Sequence, residues 1–583
     1  MSERLLRFTL FTSCLILSEL TGACTAGGAN DPEASGIGGG GANVGNGGEG
    51  NAGGSGAAAA GGGGGNAGNG GNAGSPNNEP PPGTQVQSLI PARIRRLSNV
   101  EYNRSVQALL GVDASPADAF TPDARQDGFT SNDAQRVDPV LANQLDAAAS
   151  ALVAEVRPRI GELAPCPDGA APEGCARDFV ERFAASAYRR PLQGTEADAL
   201  MTVYQAGALD ATYADGIEAV MRAVLQSPGF LYITEIGDGS QSESVGLTQY
   251  EIASAISYLF TAGPPDAALL QAAAEGKLSD AAEREAHARR LANTADAHAQ
   301  VGRVVKEWLG IDRITETAKD SQIYPLFADL RDDMEAESTE FIDAVMFGSG
   351  GGLTELLTAD WTMASADLNA ALYGGSGNGR VPLPPERRGI LNQGAFLSVH
   401  AHAHESAPVL RGVAMVRRLT CQEVPSPTTL NIDTTPPPPD PSQTTRQRFS
   451  VHVADTQCAA CHQMIDPFGF SLEDFDGMGG HRVQDNGQPV DTTVEVMLSG
   501  LEGNYASSVP LIETMAVSDP VRSCFARHLF RFSAARSDTT MRAVETAFVD
   551  TWNTLPAAAQ ESVVEVMVAF VTQPGFTHRR GTP

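Results

Sequence analysis

Apolar residues recur at helical spacing through most of the chain beyond residue 90, and capping residues precede several of these patterns. Ser98 and Glu101 have the spacing of a capping box, in which each side chain binds the other residue's backbone amide. An apolar face from Tyr102 to Leu110 follows, and Gly111 is a residue type that often ends helices. The pattern predicts a mainly α protein made of several small helical domains.

A second capping-box pattern lies at Thr248 and Glu251, and apolar spacing also predicts a helix over 179–188. The pair Arg189 and Arg190 follows that helix. We interpret the pair as a helix C-cap that forms a salt bridge with an acidic neighbour, and anion binding is the alternative.

The N-terminal residues predict an export signal. Arg4 and Arg7 precede an apolar run at 8–17 that is too short to span a bilayer. Cys24 follows small residues, as in bacterial lipoproteins, where this cysteine becomes lipidated; ordinary signal cleavage is the alternative. Residues 25–84, rich in Gly, Asn and Ala, predict a disordered tether. We expect an exported protein in the periplasm or at the cell surface, bound to the outer membrane only through a lipid anchor.

The net charge limits the classes of partner. The chain carries a formal charge of -30. Phosphate groups repel such a protein, so nucleic acid and anionic lipid are disfavoured as partners. The length of 583 residues and the 42% hydrophobic content indicate several packed cores.

The motif Cys458-Ala459-Ala460-Cys461-His462 carries the clearest chemistry of the chain. Two thiols at this spacing add to the two vinyl groups of one haem, and the adjacent histidine binds the iron. A zinc site needs a second close cysteine pair and a thioredoxin-like dithiol needs a βαβ pattern, and neither is evident. We predict one covalent haem c, with Cys458 and Cys461 as attachment sites and His462 as the proximal ligand. A structural or other metal-binding motif is the alternative.

Spacing alone does not identify the ligand on the opposite face of the haem. His452 would give two imidazole ligands, and Met478 is an equal candidate. Met497 ranks lower, and an open position is also compatible with the sequence. The choice matters because a methionine ligand raises the reduction potential relative to histidine.

Four other cysteines beyond the signal segment, Cys166, Cys175, Cys421 and Cys524, are available for disulfides in an oxidising compartment. Sequence proximity favours Cys166–Cys175, which leaves Cys421–Cys524 as a long-range link. Because four cysteines allow three pairings, this pairing is a preference.

Two polar clusters near the motif have more than one interpretation. On a strand, His400, His402 and His404 would share a face and could bind a metal, whereas a polar loop is the favoured interpretation. The carboxylates of 473–476 favour a solvated acidic loop. A cation site or pairing with Arg482 is the alternative.

Changes in composition and pattern divide the chain into seven parts. They are a signal peptide at 1–24, the tether at 25–84, helical domains at 90–160, 161–236 and 245–372, a cytochrome c-like haem domain at 380–500, and a C-terminal helical domain at 501–583.

Several short motifs occur in a characteristic order, at 96–104, 187–192, 227–230, 388–391, 411–412 and 458–482. In this order they resemble the large exported proteins built from planctomycete-type surface domains and a planctomycete-type cytochrome c domain, common in planctomycetes and myxobacteria. The resemblance implies a haem c held by Cys458, Cys461 and His462, and His452 lies in the same signature. It implies no defined substrate.

Three functions agree with these features. Electron transfer to an unknown redox partner protein is favoured. An oxidoreductase that uses the haem or the histidine cluster is the second, and a surface protein with a non-catalytic haem domain is the third. A dihaem peroxidase would need a second CxxCH motif, which the sequence lacks.

Overall fold

The computed structural model describes residues 78–348, 350–425, 436–454 and 456–581. The predicted signal peptide, Cys24 and most of the predicted tether lie outside these residues. Asn78, inside the predicted tether, donates to Ser240 Oγ at 2.9 Å and accepts from the Gly246 backbone amide at 2.9 Å. The chain is therefore ordered against the folded body earlier than the sequence predicts.

The described residues are mainly helical, as predicted. The longer helices are Asn99–Leu110, Pro139–Val156, Pro172–Tyr188, Glu196–Ala208, Tyr213–Leu225, Gln249–Thr261, Ala281–Ala292, Ala295–Leu309, Phe327–Asp343, Pro408–Thr420, Thr456–Phe470, Ser508–Val517, Asp519–Ala534, Arg542–Trp552 and Val563–Thr572. The shorter ones are Ile160–Leu163, Pro228–Leu231, Ala267–Ala274, Leu353–Thr358, Ala366–Leu368, Gly394–Val399, Thr445–Phe449, Val451–Ala454 and Ala557–Glu561.

Short antiparallel strand pairs join distant parts of the chain. The pairs are Arg93–Arg96 with Tyr232–Glu235, Ser244–Gly246 with His578–Arg580, Trp361–Ala364 with Gly379–Pro382, Gln484–Asp485 with Gln488–Pro489, and Val494–Val496 with Gly503–Tyr505. In the first pair, Arg93 lies opposite Glu235. The buried Glu235 carboxylate binds both Arg93 at 2.8 Å and Arg579 at 2.6 Å. One carboxylate thus links the first described strand to the last.

Two hydrophobic clusters form the cores of the described residues. The smaller cluster comes mainly from residues 97–233. The larger one comes mainly from residues 247–576 and includes Phe468, Leu472 and Phe475, which directly follow the predicted haem motif. A continuous core therefore supports the segment that carries the motif.

Local helix signals are confirmed where the structure tests them. Ser98 and Glu101 form a reciprocal capping box. Arg189 occupies the left-handed C-cap position, and its guanidinium donates to three backbone carbonyls. Arg190 forms the salt bridge with Glu196, at 2.8 Å.

One predicted helix start is wrong. The apolar spacing predicts a helix from Phe179, whereas the helix spans Pro172–Tyr188 and contains Cys175 near its start. Proline is favoured in the first turn because its missing amide would be unpaired there. A disulfide joins Cys175 to Cys166, with the two Cα atoms 5.3 Å apart.

Two helices near the predicted haem motif cross at unusually close range. We call Thr456–Phe470 the motif helix and Pro408–Thr420 the crossing helix. A Cβ atom at Gly412 would overlap a backbone carbonyl of the motif helix, and one at Gly469 would overlap the carbonyl of Pro408. The crossing therefore requires glycine on both helices.

The substitution Gly412→Ala should destabilise the protein by about 3 kcal/mol, because the methyl group meets rigid backbone. Gly174→Ala is the matched control, since that helical glycine has open space around its Cβ position. The control should be neutral or slightly stabilising. Denaturant unfolding followed by circular dichroism measures both, and equal stability of the two variants would refute the close crossing.

A buried histidine lies near the second disulfide, Cys421–Cys524. The ring of His528 packs 6.3 Å from the rings of Phe129 and Trp308, measured between centroids. Its Nδ1 lies 3.5 Å from Asp127 Oδ2, and both ring nitrogens are buried. His528 is therefore a core histidine whose charged form has little access to water.

Burial lowers the pKa of His528 to about 4, and the nearby Arg531 and Arg418 lower it further while Asp127 opposes them. A lowered pKa means that the unfolded chain binds the proton first. The contribution of neutral His528 to folding stability is thus fully present above about pH 6.5 and is lost as the pH drops towards 4.

His528→Phe should cost little stability at pH 7, because the new ring keeps the packing on Phe129 and Trp308. It should remove about 3 kcal/mol of the loss between pH 7 and 4. Denaturant unfolding at several pH values measures the difference. His404→Phe is the control, because it replaces a histidine whose side chain is 55% exposed. Parallel pH curves for wild type and His528→Phe would show that this histidine does not couple folding to protons.

Candidate haem site

The motif helix presents the predicted attachment residues together. Cys461 and His462 follow Cys458 by three and four helical positions, so the three side chains share one side of the helix. Both cysteines are half-buried free thiols. The four other cysteines of the described residues form disulfides. The two motif thiols are thus left available for another bond.

A buried carboxylate orients the motif histidine. Asp466 lies one helical turn after His462, and its Oδ1 is 2.8 Å from His462 Nδ1. The side chain of Asp466 is 3% exposed and that of His462 is 16% exposed. Metal-binding histidines commonly donate their second ring N–H to a carboxylate in this way. This contact reserves Nε2 of His462 for a metal.

The structure places His452 against His462. His452 lies on the short helix Val451–Ala454, and the two ring centroids are 4.4 Å apart. Phe449 contacts the His452 ring edge-on at 5.6 Å. Burial lowers the pKa of His452, and the neighbouring His462 adds to the effect. The neutral imidazole that results is the form that binds metals.

The two methionine candidates lie in different surroundings. Met478 is 8% exposed within the larger hydrophobic cluster, and its carbonyl accepts from Ser398 Oγ at 3.1 Å. Met497 is 73% exposed on the surface. His452 thus contacts the ring of His462, whereas Met478 lies in the core and Met497 at the surface.

The turn after the motif helix is held by a fully buried arginine. The Arg411 guanidinium donates to the carbonyls of Leu472 at 3.0 Å, Phe475 at 2.8 Å, Leu397 at 3.1 Å and Asp476 at 2.5 Å. These bonds come from the crossing helix, beside Gly412. Gly412 thus sets how closely the motif helix approaches the crossing helix, and its neighbour Arg411 sets the path of the chain after the motif helix.

The carboxylates that follow the motif helix do not form the solvated loop that the sequence favoured. Glu473 is 2% exposed and accepts from Arg482 at 3.0 Å and from Ser406 Oγ at 3.1 Å. Arg482 also binds Asp485 at 3.0 Å, and Asp476 accepts from two backbone amides of the turn. Pairing with Arg482, the alternative interpretation, is what the structure shows. Alternation of polar and apolar residues had concealed this burial.

The histidine cluster does not lie on a strand. His400 ends the helix Gly394–Val399, and His402 and His404 follow in the next turn. His400 is buried, and its Nε2 donates to the carbonyl of Leu309 at 3.0 Å. Within the described part of the chain, the side chains close enough together to hold a metal ion do not include these histidines.

The residues of the motif helix fit a covalently attached haem. The fit rests on two free thiols, one oriented imidazole, and a second imidazole whose buried Nδ1 lacks a partner in the described chain. Val451 and Val453, which flank His452, are 55% and 38% exposed, and an apolar ring would cover such side chains. Sequence reasoning missed Asp466, although a spacing of four from His462 on a helix could have indicated it.

Four protein families match consecutive parts of the chain. They are PSD3 (DUF1587) at 95–158, PSD5 (DUF1595) at 175–235, PSD4 (DUF1592) at 247–374 and PSCyt3 (DUF1588) at 387–485, each described as a protein of unknown function. Together they cover more than half of the chain, and the PSCyt3 range contains the haem motif. No curated protein and no solved structure matches the chain.

The motif and the matching families define a c-type cytochrome-like protein. The chain belongs to the planctomycete surface-domain and cytochrome c families, as the order of its short motifs predicted. Within the described residues, no helix is both long enough and apolar enough to span a bilayer.

Proposed function

We propose that the protein is an exported monohaem c-type cytochrome that transfers electrons at the cell envelope. The observation that carries the proposal is the motif helix, which presents two free thiols beside His462, whose ring a buried carboxylate already holds. When bound, a haem supplies a carrier for one electron. Cys458 and Cys461 would attach it and Nε2 of His462 would bind its iron.

His452 is the proposed second ligand. Its ring contacts that of His462, and its Nδ1 has no other partner among the described residues. Both imidazoles would hold the iron, so their rings, with centroids 4.4 Å apart, would have to separate to admit it. Two nitrogen ligands leave no position for a substrate, which favours electron transfer over catalysis.

The proposed location and partner follow from the sequence. The segment with Arg4, Arg7 and Cys24 supports export and a lipid anchor, and the acidic charge disfavours binding to nucleic acid or anionic lipid. A redox partner protein would approach the half-buried edge of the motif helix, near the exposed Val451 and Val453.

The double variant Cys458→Ser/Cys461→Ser should lose all covalent haem, because no thiol remains to bond to the vinyl groups. Haem staining of a denaturing gel, after expression with cytochrome c maturation proteins, measures this. Cys166→Ser/Cys175→Ser is the matched control, since it removes two cysteines that are already in a disulfide. Covalent haem in the first variant would refute the attachment site.

Wild-type protein should show a low-spin, six-coordinate spectrum that carbon monoxide and cyanide do not change. His452→Ala should open the sixth position and bind both ligands, whereas Met478→Leu, in the hydrophobic core, should behave like wild type. Visible spectra of the three proteins, recorded with and without carbon monoxide and cyanide, show which of them have an open sixth position. Opening by Met478→Leu alone would identify the methionine as the ligand, and ligand binding by wild type would favour an oxidoreductase.

A further inference from the structure

We propose that Asp466 is a positioning residue that holds His462 by its Nδ1 proton and lowers the reduction potential of the attached haem. This inference rests on the proposed function. Its geometric basis is the 2.8 Å contact between Asp466 Oδ1 and His462 Nδ1 across one turn of the motif helix. Both side chains come from the same helix, so backbone geometry fixes the contact.

The partners of Asp466 set it apart from the other carboxylates of this region. Within the described residues, His462 is its one hydrogen-bond and ion-pair partner, and its second oxygen is buried without any. In contrast, Glu473 and Asp485 both pair with Arg482. A carboxylate 3% exposed and without an arginine or lysine partner is costly to bury, so its contact with His462 is the interaction that favours its charge there.

The free-energy cost of burying the Asp466 carboxylate falls when the imidazole of His462 acquires positive character. An imidazole bound to iron gains such character, and it gains more when the iron is oxidised. The negative charge of Asp466, acting through the Nδ1 proton in a poorly solvated site, therefore stabilises the oxidised form more than the reduced form. A lower potential is the result.

The decisive variant is Asp466→Asn, which keeps the shape and an acceptor oxygen but removes the charge. We expect unchanged haem content and a reduction equilibrium constant raised tenfold or more, which corresponds to about 59 mV for one electron. Asp485→Asn is the matched control, because it removes a carboxylate of the same region that binds Arg482 and the Thr445 amide. Redox titration followed at the haem absorption bands measures all three proteins.

A potential of Asp466→Asn equal to that of wild type overturns the inference and leaves the proposed function intact. An equal rise in both variants also overturns it, since the effect would then be one of charge at a distance. Wild-type protein without haem removes the proposed function and this inference together.

If Asp466→Asn does not accumulate, a measurement on the unmodified protein decides. The Nδ1 proton of His462 should exchange slowly with solvent and resonate far downfield in the reduced protein, as expected for a buried bond to a carboxylate. Fast exchange of that proton would contradict the inference.

Discussion

The crossing of two helices at Gly412 and Gly469 determines where the haem motif lies. Any side chain at either position would overlap backbone of the other helix, so the separation of the helices is set by main-chain contact. Arg411, the neighbour of Gly412, then binds four carbonyls around the turn that leaves the motif helix. A rigid helix held in this way can keep two thiols and an imidazole on one side.

Charge is distributed unevenly around this helix. The chain as a whole carries a charge of -30, yet Glu473 and Asp485, beside the turn, are buried and paired with Arg482. Asp466 departs from that arrangement because it faces an imidazole. The buried ion pairs with Arg482 hold the turn, whereas the carboxylate of Asp466 acts on the group that His462 binds. The same acidic stretch thus contains both a structural part and a part of the candidate site.

Much of the local structure was predictable from the sequence. The capping boxes, the C-cap arginine Arg189 and the helical class all follow from short-range rules, because the atoms involved lie within a few residues of one another. The helix begins at Pro172, before the start that apolar spacing predicts, because residues 172–174 of its first turn are exposed and form no apolar face. Burial of Glu473 could not be read locally, since its partners Ser406 and Arg482 meet it only in the fold.

The candidate site could be located from the sequence, because the five-residue motif has two thiols and a histidine at the spacing that haem attachment uses. The choice between His452 and Met478 depended on packing between segments. The structure packs the ring of His452 against that of His462 and places Met478 in the larger hydrophobic cluster. The close approach at Gly412 and Gly469 likewise had no sequence signal beyond the glycines themselves.

The most direct test of the central claim is mass spectrometry of the proteolytic peptide that spans Cys458–His462, taken from protein exported in a host that matures c-type cytochromes. Our account predicts one haem bonded to that peptide through both cysteines. Recovery of the peptide with two unmodified thiols, or with a disulfide between them, would contradict it.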